Sequence, residues 1–319
     1  MPPEASAARA ILSIAGSDPS GGAGLQADLK TFTALGVYGA AAVTCITVQN
    51  SQGVRYFEPL APRLVSDQIQ AVLTDLPVSH VKIGMLGSQA VAEAVAGALA
   101  EFSGEIIYDP VMLAGSGHSL YQNPGGDREP SLLPGELLDR VTALTPNLPE
   151  LAVLCGRQAA ELEATVAADY RTSLTGAAAE LFRRHPRLRA VVVTGAHHQP
   201  QSAMIQDVLC RREGEKKLLE FSHPRLLSRN LHGTGCTFAS ALAAGHLLWG
   251  SYEQALPGAI AFLERVIDAG SRLDLGRGNG PLGHHLYNRQ QTGQETGISH
   301  NNSAVTPAKV AITQHCTRS

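Results

Sequence analysis

The chain has 319 residues, of which 44% are hydrophobic and 17% are charged, and its formal net charge at pH 7 is −3. This length can bury a sizeable core in one large or two ordinary domains, and so small a net charge gives no electrostatic case for nucleic acid or an anionic membrane as a partner. The five cysteines are scattered and form no C-x-x-C pair, so we expect a cytoplasmic protein with neither a disulfide framework nor a zinc site, and without a signal peptide.

Short apolar runs alternate with helical patterns along the chain, and this alternation predicts an α/β fold with a mostly parallel sheet. The predicted strands are 10–15, 41–48, 81–83, 106–108, 141–144 and 190–194. Apolar residues at helical spacing predict helices over 25–35, 65–76, 91–102, 235–249 and 252–273. Because the strands are followed by loops and helices, the ligand crevice is expected at the carboxyl ends of the strands.

The segments 203–209 and 217–221 predict a small β-hairpin beside the parallel sheet. We divide the chain into an N-terminal extension, one main domain and a tail, at residues 1–9, 10–287 and 288–319. The tail is polar and without periodicity, which predicts disorder. The segment 122–130, with the sequence QNPGGDREP, is typical of a surface insertion.

A glycine-rich loop, GSDPSGGAG at 16–24, follows the first predicted strand. Its glycines allow a ligand to lie against the backbone, although the loop lacks both the end of a Walker A loop and the spacing of the dinucleotide-binding fingerprint. Asp28 in the next helix is a candidate to reach back to a ligand hydroxyl, or an acid that complements the helix dipole. The loop predicts a ligand-binding turn, with a turn that binds nothing as the alternative.

An amide and a thioether follow the next two predicted strands. Gln49 ends the second strand, and because a carboxamide both donates and accepts hydrogen bonds, it can pair with the ring nitrogen and amino group of a heteroaromatic substrate. Met85, in KIGML, offers a polarizable surface to such a ring. The alternatives are a buried amide that pairs with backbone and a methionine that fills a gap in the core.

Two carboxylates follow later strands. Asp109 comes directly after strand 106–108, and Glu150 lies in TPNLPE after strand 141–144. Carboxylate oxygens at neighbouring strand ends are the hard ligands, direct or through water, that Mg²⁺ with a polyphosphate needs. Each of the two residues is also a candidate helix cap.

The segment HGTGCT at 232–237 directly precedes an apolar helix. Gly233 and Gly235 let a ligand approach the backbone, and the unpaired N–H groups of the first helical turn stabilise an anion such as a transferring phosphoryl group. The same field predicts a lowered pKa for Cys236, which makes its thiolate a candidate general base. The alternative is a simple turn with a helix N-cap and a small buried cysteine.

Six segments occur together in one order: GSDPSGGAGLQADLKTFTALGVYG, TVQN, KIGML, DPVMLAGSG, TPNLPE and HGTGCT. In combination they closely resemble the hydroxymethylpyrimidine/phosphomethylpyrimidine kinases of thiamin biosynthesis, a family of the ribokinase superfamily. The resemblance implies a ribokinase-like fold, with helices on both faces of a central, mostly parallel sheet. It also implies ATP with Mg²⁺, and two successive phosphorylations, of 4-amino-5-hydroxymethyl-2-methylpyrimidine and then of its monophosphate.

The resemblance also implies a role for each matching residue. Gln49 would pair with the pyrimidine. The pocket around it would be lined by Gly16, Ala23, Asp28, Met85 and Val111. The acids that hold Mg²⁺ and phosphate would be Asp109 and Glu150. The catalytic anion hole would comprise Gly233, Gly235 and Cys236, and the nucleotide contacts Thr194, Gly195 and Thr234. The sequence TGAH at 194–197 stands where many members have Lys-Gly-Gly-His.

Two other functions are compatible with these motifs. A pyridoxal kinase, active on pyridoxal or pyridoxine, shares the cysteine-type anion hole and also phosphorylates a hydroxymethyl group on a heteroaromatic ring. A non-catalytic pyrimidine-binding protein would keep the fold without turnover. Gln49 and Met85 favour the pyrimidine, and the intact Asp109, Glu150 and Cys236 favour catalysis. Because folds of this kind often pair, we expect a homodimer.

Overall fold

The computed structural model describes residues 9–112, 121–122, 135–196, 202–215 and 217–287. The expectations for residues 123–130 of the insertion and for the tail at 288–319 therefore lie outside the described residues. Within those limits, no helix combines the length and the apolar character that are needed to cross a membrane.

The centre of the fold is a nine-stranded sheet with the order β11-β10-β9-β8-β6-β4-β1-β2-β3. The strands are β1 Ala10–Ser17, β2 Tyr38–Asn50, β3 Gly53–Pro59, β4 Val78–Ile83, β5 Gly87–Ser88, β6 Glu105–Tyr108, β7 Tyr121–Gln122, β8 Ala143–Leu144, β9 Ala190–Val193, β10 Met204–Arg211 and β11 Leu218–Pro224. The strands from β9 across to β2 run parallel, whereas β3, β10 and β11 pair antiparallel at the two edges. The short strands β5 and β7 form a separate parallel pair. The mostly parallel sheet and the hairpin of β10 with β11 are both confirmed.

Helices cover both faces of the sheet. They are α1 Gly24–Ala34, α2 Pro62–Asp75, α3 Gln89–Ala98, α4 Gly135–Leu138, α5 Leu148–Leu154, α6 Ala159–Ala168, α7 Tyr170–Arg184, α8 Thr234–Trp249 and α9 Tyr252–Ser271. Helices α2 to α7 pack on one face, and α1, α8 and α9 pack on the other. A short 3₁₀-helix at His284–Leu286 follows α9.

The central strands are mostly apolar because side chains of both orientations are buried, with Ser13 in β1 and Lys82 in β4 as buried exceptions. In β1, Leu12 and Ile14 enter the core under α2 and α3, whereas Ile11 enters the core under α1 and α8. Successive strand residues point to opposite faces, so a strand covered by helices on both sides reads as a continuous apolar run. This burial explains why sequence pattern alone locates the central strands.

Several elements were not predicted from the sequence, among them the short elements α4, β5, β7 and the 3₁₀-helix. Helices α5, α6 and α7 follow one another between β8 and β9, and β3 pairs antiparallel with the end of β2. Half of the residues of helix α6 (AAELEATVAA) are alanine, which blurs the apolar stripe that marks an amphipathic helix. Strand β3 matters for the site, because its pairing with β2 shifts register between Val48 and Gln49.

Candidate active site

A cavity of about 890 Å³ opens at the carboxyl ends of the parallel strands. Its walls are the segments that follow β1, β2, β4, β6, β8 and β9, together with the start of α8. The residues proposed from the sequence that line it are Gly16, Ala23, Gln49, Met85, Asp109, Val111, Glu150, Thr194, Gly195, Gly233, Thr234, Gly235 and Cys236. Segments far apart in sequence therefore meet in one cleft, as expected for parallel strands.

Asp28 is the one proposed site residue that does not line the cavity, and its position corrects the expectation. Its carboxylate is fully buried and accepts hydrogen bonds from Ser13 Oγ at 2.6 Å, Ser240 Oγ at 2.7 Å and Lys82 Nζ at 3.0 Å. Lys82 is also fully buried. A buried ammonium requires a counter-ion, and Asp28 is that counter-ion rather than a ligand contact.

The Asp28–Lys82 pair lies beneath the site and affects its electrostatics. Burial lowers the pKa of the Lys82 ammonium, but the charge of Asp28 more than offsets this, so the pKa lies above its usual value. Smaller contributions to the pKa of Lys82 come from Cys236 and Asp109. A permanent positive charge is therefore held below the cleft, close enough to interact with both of these residues.

Asp18 organises the glycine-rich loop and was missed in the sequence analysis. Its carboxylate is 2% exposed and accepts from Ser20 N–H at 2.9 Å, Ser20 Oγ at 2.7 Å, Gly22 N–H at 3.1 Å, Ala23 N–H at 2.8 Å and His232 Nε2 at 2.8 Å. Burial raises the pKa of this carboxyl, but the donors, His232 foremost, lower it to about 2. The sequence does contain a signal for this role, because an aspartate such as Asp18, two residues before Ser20, commonly accepts a hydrogen bond from the backbone in a turn.

Gln49 lies at the entrance to an apolar pocket. Its Nε2 is 3.0 Å from His232 Nε2, and the sulfur of Met85 belongs to a cluster with Cys45, Val54 and Phe57, against which Val111 packs. We call Asp18, Gln49, Met85 and His232 the amide end of the cleft. It offers an amide, an imidazole and a polarizable apolar wall.

Close packing at the amide end requires a glycine in the loop after β1. A Cβ atom on Gly16 would lie 2.7 Å from Cys45 Sγ and 3.2 Å from Met85 Sδ. Thr44 Oγ1 donates to the carbonyl of Met85 at 2.6 Å, which fixes the backbone from which the thioether projects. The absence of a side chain at residue 16 therefore lets the apolar wall form.

The first turn of α8 contacts the glycine-rich loop directly. Gly233, its N-cap, has φ +87°, and a Cβ atom there would lie 1.9 Å from the carbonyl oxygen of Gly22. The turn that follows, from Thr234 to Cys236, lines the cavity. The N–H of Thr234 donates to the carbonyl of Leu231 at 3.3 Å. The N–H groups of Gly235 and Cys236 have no carbonyl within the helix to pair with, and the helix dipole is positive there, so this turn is suited to an anion.

The predicted lowering of the Cys236 pKa is wrong. The side chain is half-buried at the cavity wall, and the N–H of Gly24 donates to its sulfur. Burial raises the pKa of the thiol to about 12, because the lowering by Lys82 is opposed by the negative charges of Asp28 and Asp109. With these surroundings Cys236 is a neutral thiol at neutral pH, and burial is the main cause.

Asp109 and Glu150 stand at the end of the cleft opposite the amide. Asp109 is 5% exposed; its Oδ1 is 3.5 Å from Thr145 Oγ1, and its Oδ2 has no hydrogen-bond partner among the described residues. Burial raises the pKa of Asp109 to about 6, although Lys82 partly offsets the rise. A buried carboxylate oxygen without a partner is costly, and a cation would relieve that cost.

Glu150 caps helix α5 and also faces the cavity. Its Oε2 accepts from the N–H of Asn147 at 3.0 Å, and Asn147 Oδ1 accepts from the N–H of Glu150 at 2.9 Å, which is a capping box. Burial, with the charge of Asp109, raises the pKa of Glu150 to about 8. We call Asp109, Glu150 and Cys236 the acid end of the cleft.

The chemistry of the acid end fits a divalent cation whose coordination is shared with a ligand. Both acids have raised pKa values because no positive charge compensates them fully, and carboxylate oxygens are hard ligands. No group of three or more His, Cys, Asp and Glu side chains within the described part of the chain is arranged to hold a metal ion. Two acids with an incomplete ligand set are typical of sites where phosphate oxygens and water supply the remaining ligands.

The remaining wall of the cavity lies beside β9, β10 and β11. Gly195, with φ +57°, donates its N–H to Asp207 Oδ1 at 2.8 Å, and Asp207 Oδ2 is 3.1 Å from His223 Nε2. Thr194 is held by its N–H to the carbonyl of Pro146 at 3.0 Å. The apolar side of this wall is formed by Ile260, Leu263 and Ile267. Thr194 and Gly195 are predicted from the sequence, whereas Asp207 and His223 are not.

The comparisons with known proteins cover most of the chain. Residues 18–283 match the sequence model of the family described as phosphomethylpyrimidine kinase. The hydroxymethylpyrimidine/phosphomethylpyrimidine kinase of Rhizobium meliloti is 42% identical over 277 residues, which cover 86% of this chain and 96% of the relative.

Two solved structures are similar to the whole fold. The pyridoxal kinase from Staphylococcus aureus in complex with ADP superposes with a TM-score of 0.70 and 28% identity, over 88% of this chain and 95% of that one. The phosphomethylpyrimidine kinase from Clostridium difficile superposes with a TM-score of 0.64 and 28% identity, over 81% of this chain and 99% of that one. The predicted ribokinase-like fold is confirmed.

Proposed function

The chain belongs to the phosphomethylpyrimidine kinase family, and from this premise we propose that it transfers phosphoryl groups from ATP to 4-amino-5-hydroxymethyl-2-methylpyrimidine and then to its monophosphate. The observation that carries the proposal is the convergence in one cavity of Gln49, Asp109 and the first turn of α8. An aromatic ring held at the amide end would place its hydroxymethyl group toward that turn. The activity belongs to thiamin biosynthesis, the pathway named for a relative from Geobacter sulfurreducens that is 39% identical over 279 residues.

The first transfer joins the substrate alcohol oxygen to the γ-phosphorus of ATP while the bond to ADP breaks. The N–H groups of Gly235 and Cys236 would stabilise negative charge on the transferring group. The alcohol must lose a proton, and Cys236 and Asp109 are the ionisable groups that face this point. Since the Cys236 thiol is neutral in the ligand-free cleft, its action as a base requires added positive charge at the acid end.

The second transfer makes a smaller demand on a base. Its attacking oxygen belongs to a phosphate monoester, whose second pKa is about 6, so that oxygen is already largely ionised at neutral pH. Positioning and charge neutralisation are then the main requirements. The backbone donors of α8 and the Lys82 charge beneath them serve both steps.

ATP would lie along the wall beside β9 to β11, with Thr194, Gly195 and Thr234 near its phosphates and the apolar residues of α9 beside its base. The complex of the Staphylococcus aureus relative with ADP supports nucleotide binding in this fold. Asp109 and Glu150 would hold Mg²⁺, which when bound offsets the charge of the polyphosphate. We retain the expectation of a homodimer as part of the proposal.

A single assay separates this proposal from its alternatives. ATP consumption is measured with the pyrimidine alcohol, the pyrimidine monophosphate and pyridoxal as separate substrates. We expect turnover with both pyrimidines and a kcat/KM for pyridoxal that is lower. Turnover with pyridoxal alone would identify a pyridoxal kinase, and no turnover with any ring would identify a binding protein. The Asp109→Asn variant controls for a contaminating kinase, because only the authentic activity should fall.

A further inference from the structure

One nitrogen atom at the amide end contacts two partners that make conflicting demands. His232 Nε2 lies 2.8 Å from Asp18 Oδ2 and 3.0 Å from the Gln49 Nε2 position. An imidazole nitrogen either carries a hydrogen and donates, or lacks one and accepts. It cannot accept from an amide N–H and donate to a carboxylate at the same time.

Asp18 decides the state of this nitrogen. Its carboxylate already accepts from Ser20, Gly22 and Ala23, and an ionised carboxylate has no hydrogen to donate. The pKa of Asp18 is lowered to about 2, burial being outweighed by these donors and by His232, so the carboxylate is ionised at every physiological pH. His232 Nε2 must therefore carry a hydrogen, whether the ring is neutral or charged.

The state of His232 in turn decides the orientation of Gln49. If the Gln49 amide nitrogen faced His232 Nε2, two N–H donors would oppose each other. A carboxamide turned by 180° about its last torsion occupies the same volume, so the hydrogen-bond network determines which atom faces which partner. In the arrangement that satisfies all three groups, Gln49 Oε1 faces His232. The N–H at His232 Nε2 then donates to both Asp18 Oδ2 and Gln49 Oε1.

We propose that His232 is a positioning residue that, anchored by Asp18, holds the Gln49 carboxamide with its oxygen toward the imidazole and its amino group toward the bound ring. The inference rests on the proposed pyrimidine kinase activity. It links two loops that lie 214 residues apart in sequence, one after β1 and one before α8. Gly22 allows this contact, because a Cβ atom there would lie 2.3 Å from the His232 ring.

The orientation defines which ring edge the site selects. The Gln49 amino group donates to a ring nitrogen that accepts, and the second lone pair of Oε1 accepts from an exocyclic amino group. A 4-aminopyrimidine presents this pair of groups side by side. A 4-oxopyrimidine presents the reverse pattern, a carbonyl acceptor beside a ring N–H, and leaves both groups of Gln49 unpaired or opposed. A ligand that leaves a buried polar group of the site unpaired binds much more weakly than one that pairs with it.

The first test reads the hydrogen on His232 directly and does not depend on activity. Side-chain ¹⁵N NMR of the ligand-free protein reports whether Nε2 or Nδ1 is protonated, and the signal is assigned by its loss in His232→Gln. We expect a hydrogen on Nε2 from pH 6 to pH 8. A ring protonated on Nδ1 alone would overturn the proposal, even if the enzyme phosphorylates the pyrimidine.

The second test measures discrimination between the two rings. The kcat/KM ratio of the 4-amino to the 4-oxo substrate should fall about tenfold in His232→Leu, a change of about 1.4 kcal/mol, mainly through KM for the amino ring. His232→Gln should restore the ratio, since its terminal N–H can also donate to Asp18 and Gln49. The surface variant His285→Leu is the matched control and should keep the wild-type ratio.

The outcomes separate this inference from the proposed function. An unchanged ratio in a folded His232→Leu variant, or a ratio that His232→Gln fails to restore, would show that His232 does not orient Gln49. If the wild-type enzyme phosphorylates neither ring, the proposed function fails, and the NMR result still decides the hydrogen-bond arrangement. Circular dichroism and the melting temperature of each variant establish that it is folded.

Discussion

The amide end and the acid end of the cleft differ in how completely their polar groups are paired. At the amide end, Asp18 accepts from five donor atoms, and Gln49 is in contact with His232. At the acid end, one oxygen of Asp109 has no partner within the described part of the chain, and burial raises the pKa of every member. The amide end is therefore organised before a ligand arrives, whereas the acid end needs a ligand and a cation to balance its charge.

The buried pair beneath the site shows that this difference is not a general property of buried carboxylates in the protein. Asp28 is more deeply buried than Asp109, yet it accepts from a lysine and two serines. The fold can thus satisfy a buried aspartate where its role is structural. Asp109 is incompletely paired, and the free-energy cost of burying its charge therefore falls at the place where a phosphate and its cation would bind.

The largest expected effect is on the acid end. Cys236→Ala should slow transfer to the alcohol by about 10²–10⁴-fold, the usual range for loss of a general base. Transfer to the monophosphate should slow less, because its attacking oxygen is already charged and the backbone donors of α8 survive the substitution. Single-turnover rates on both substrates at saturating ATP and Mg²⁺ give the comparison.

Equal losses on the two substrates would instead assign Cys236 to the shared anion site. The raised pKa of the thiol, caused by burial, adds a check on the ligand-free state. Iodoacetamide should modify Cys236 slowly without ligand, because the thiolate is the reactive form. Faster modification in the presence of Mg²⁺ and a nucleotide analogue would show that added positive charge activates the thiol.

The next largest effect concerns stability. Lys82→Met leaves the Asp28 carboxylate buried without its counter-ion, and breaking a buried pair in this way costs about 3–5 kcal/mol. The measurement is the free energy of unfolding in urea. Lys30→Met is the matched control, because Lys30 is exposed and loses only a solvent-exposed hydrogen bond to the carbonyl of Gly21, so stability should change by less than about 1 kcal/mol. Equal effects of the two substitutions would show that Lys82 is not needed to compensate Asp28.

A substitution at the amide end should weaken substrate binding rather than slow phosphoryl transfer. Gln49→Leu removes the amide that pairs with the ring, which should cost about 1–3 kcal/mol in the KM for the pyrimidine. The KM for ATP should be unchanged, because the wall where we propose that ATP binds is formed by β9, β10 and β11 and not by β2. Isothermal titration with the pyrimidine alcohol measures the loss of ring affinity. Unchanged affinity in a folded variant would remove Gln49 from the ring site.

Sequence reasoning predicted the site where chemistry follows a local pattern. Glycine-rich turns, an amide at a strand end and acids after strands can be read locally, because parallel strands bring their carboxyl ends together. It failed where a role depends on distant partners. Asp28 pairs with residues 54 and 212 positions away, and nothing in its own helix indicates either contact.

The error on Cys236 has the same origin. Its helix N-terminus is visible in the sequence and predicts a lowered pKa. Burial raises the pKa of the thiol, and the lowering by Lys82 is opposed by Asp28 and Asp109, all three of which lie on other elements. The missed helix α6 has a different cause, because its alanine-rich sequence carries little amphipathic contrast. The fold class could be predicted from the hydrophobic pattern of the sequence. The ionisation states could not, because they depend on charged residues that only the folded chain brings together.

The smallest expected effect separates two roles of Glu150. Glutamine also suits the third position of a capping box, so Glu150→Gln should keep helix α5 and change stability little at pH 5. Burial and the charge of Asp109 raise the pKa of Glu150 in the folded protein from 4.5 to about 8. The stability from this carboxyl is thus fully present below about pH 4.5 and is lost as the pH rises through about 8.

The wild-type protein should therefore lose stability relative to Glu150→Gln between pH 5 and pH 8, by less than about 1 kcal/mol because the half-buried carboxyl is screened by solvent. Urea unfolding at both pH values measures this, with the exposed Glu161→Gln as a control that should show no such trend. Adding Mg²⁺ and nucleotide at pH 8 should reverse the order, since a cation favours the ionised carboxylate. A difference between wild type and variant that is the same at both pH values would mean that Glu150 serves only as a cap, and the acid end would then consist of Asp109 and Cys236 alone.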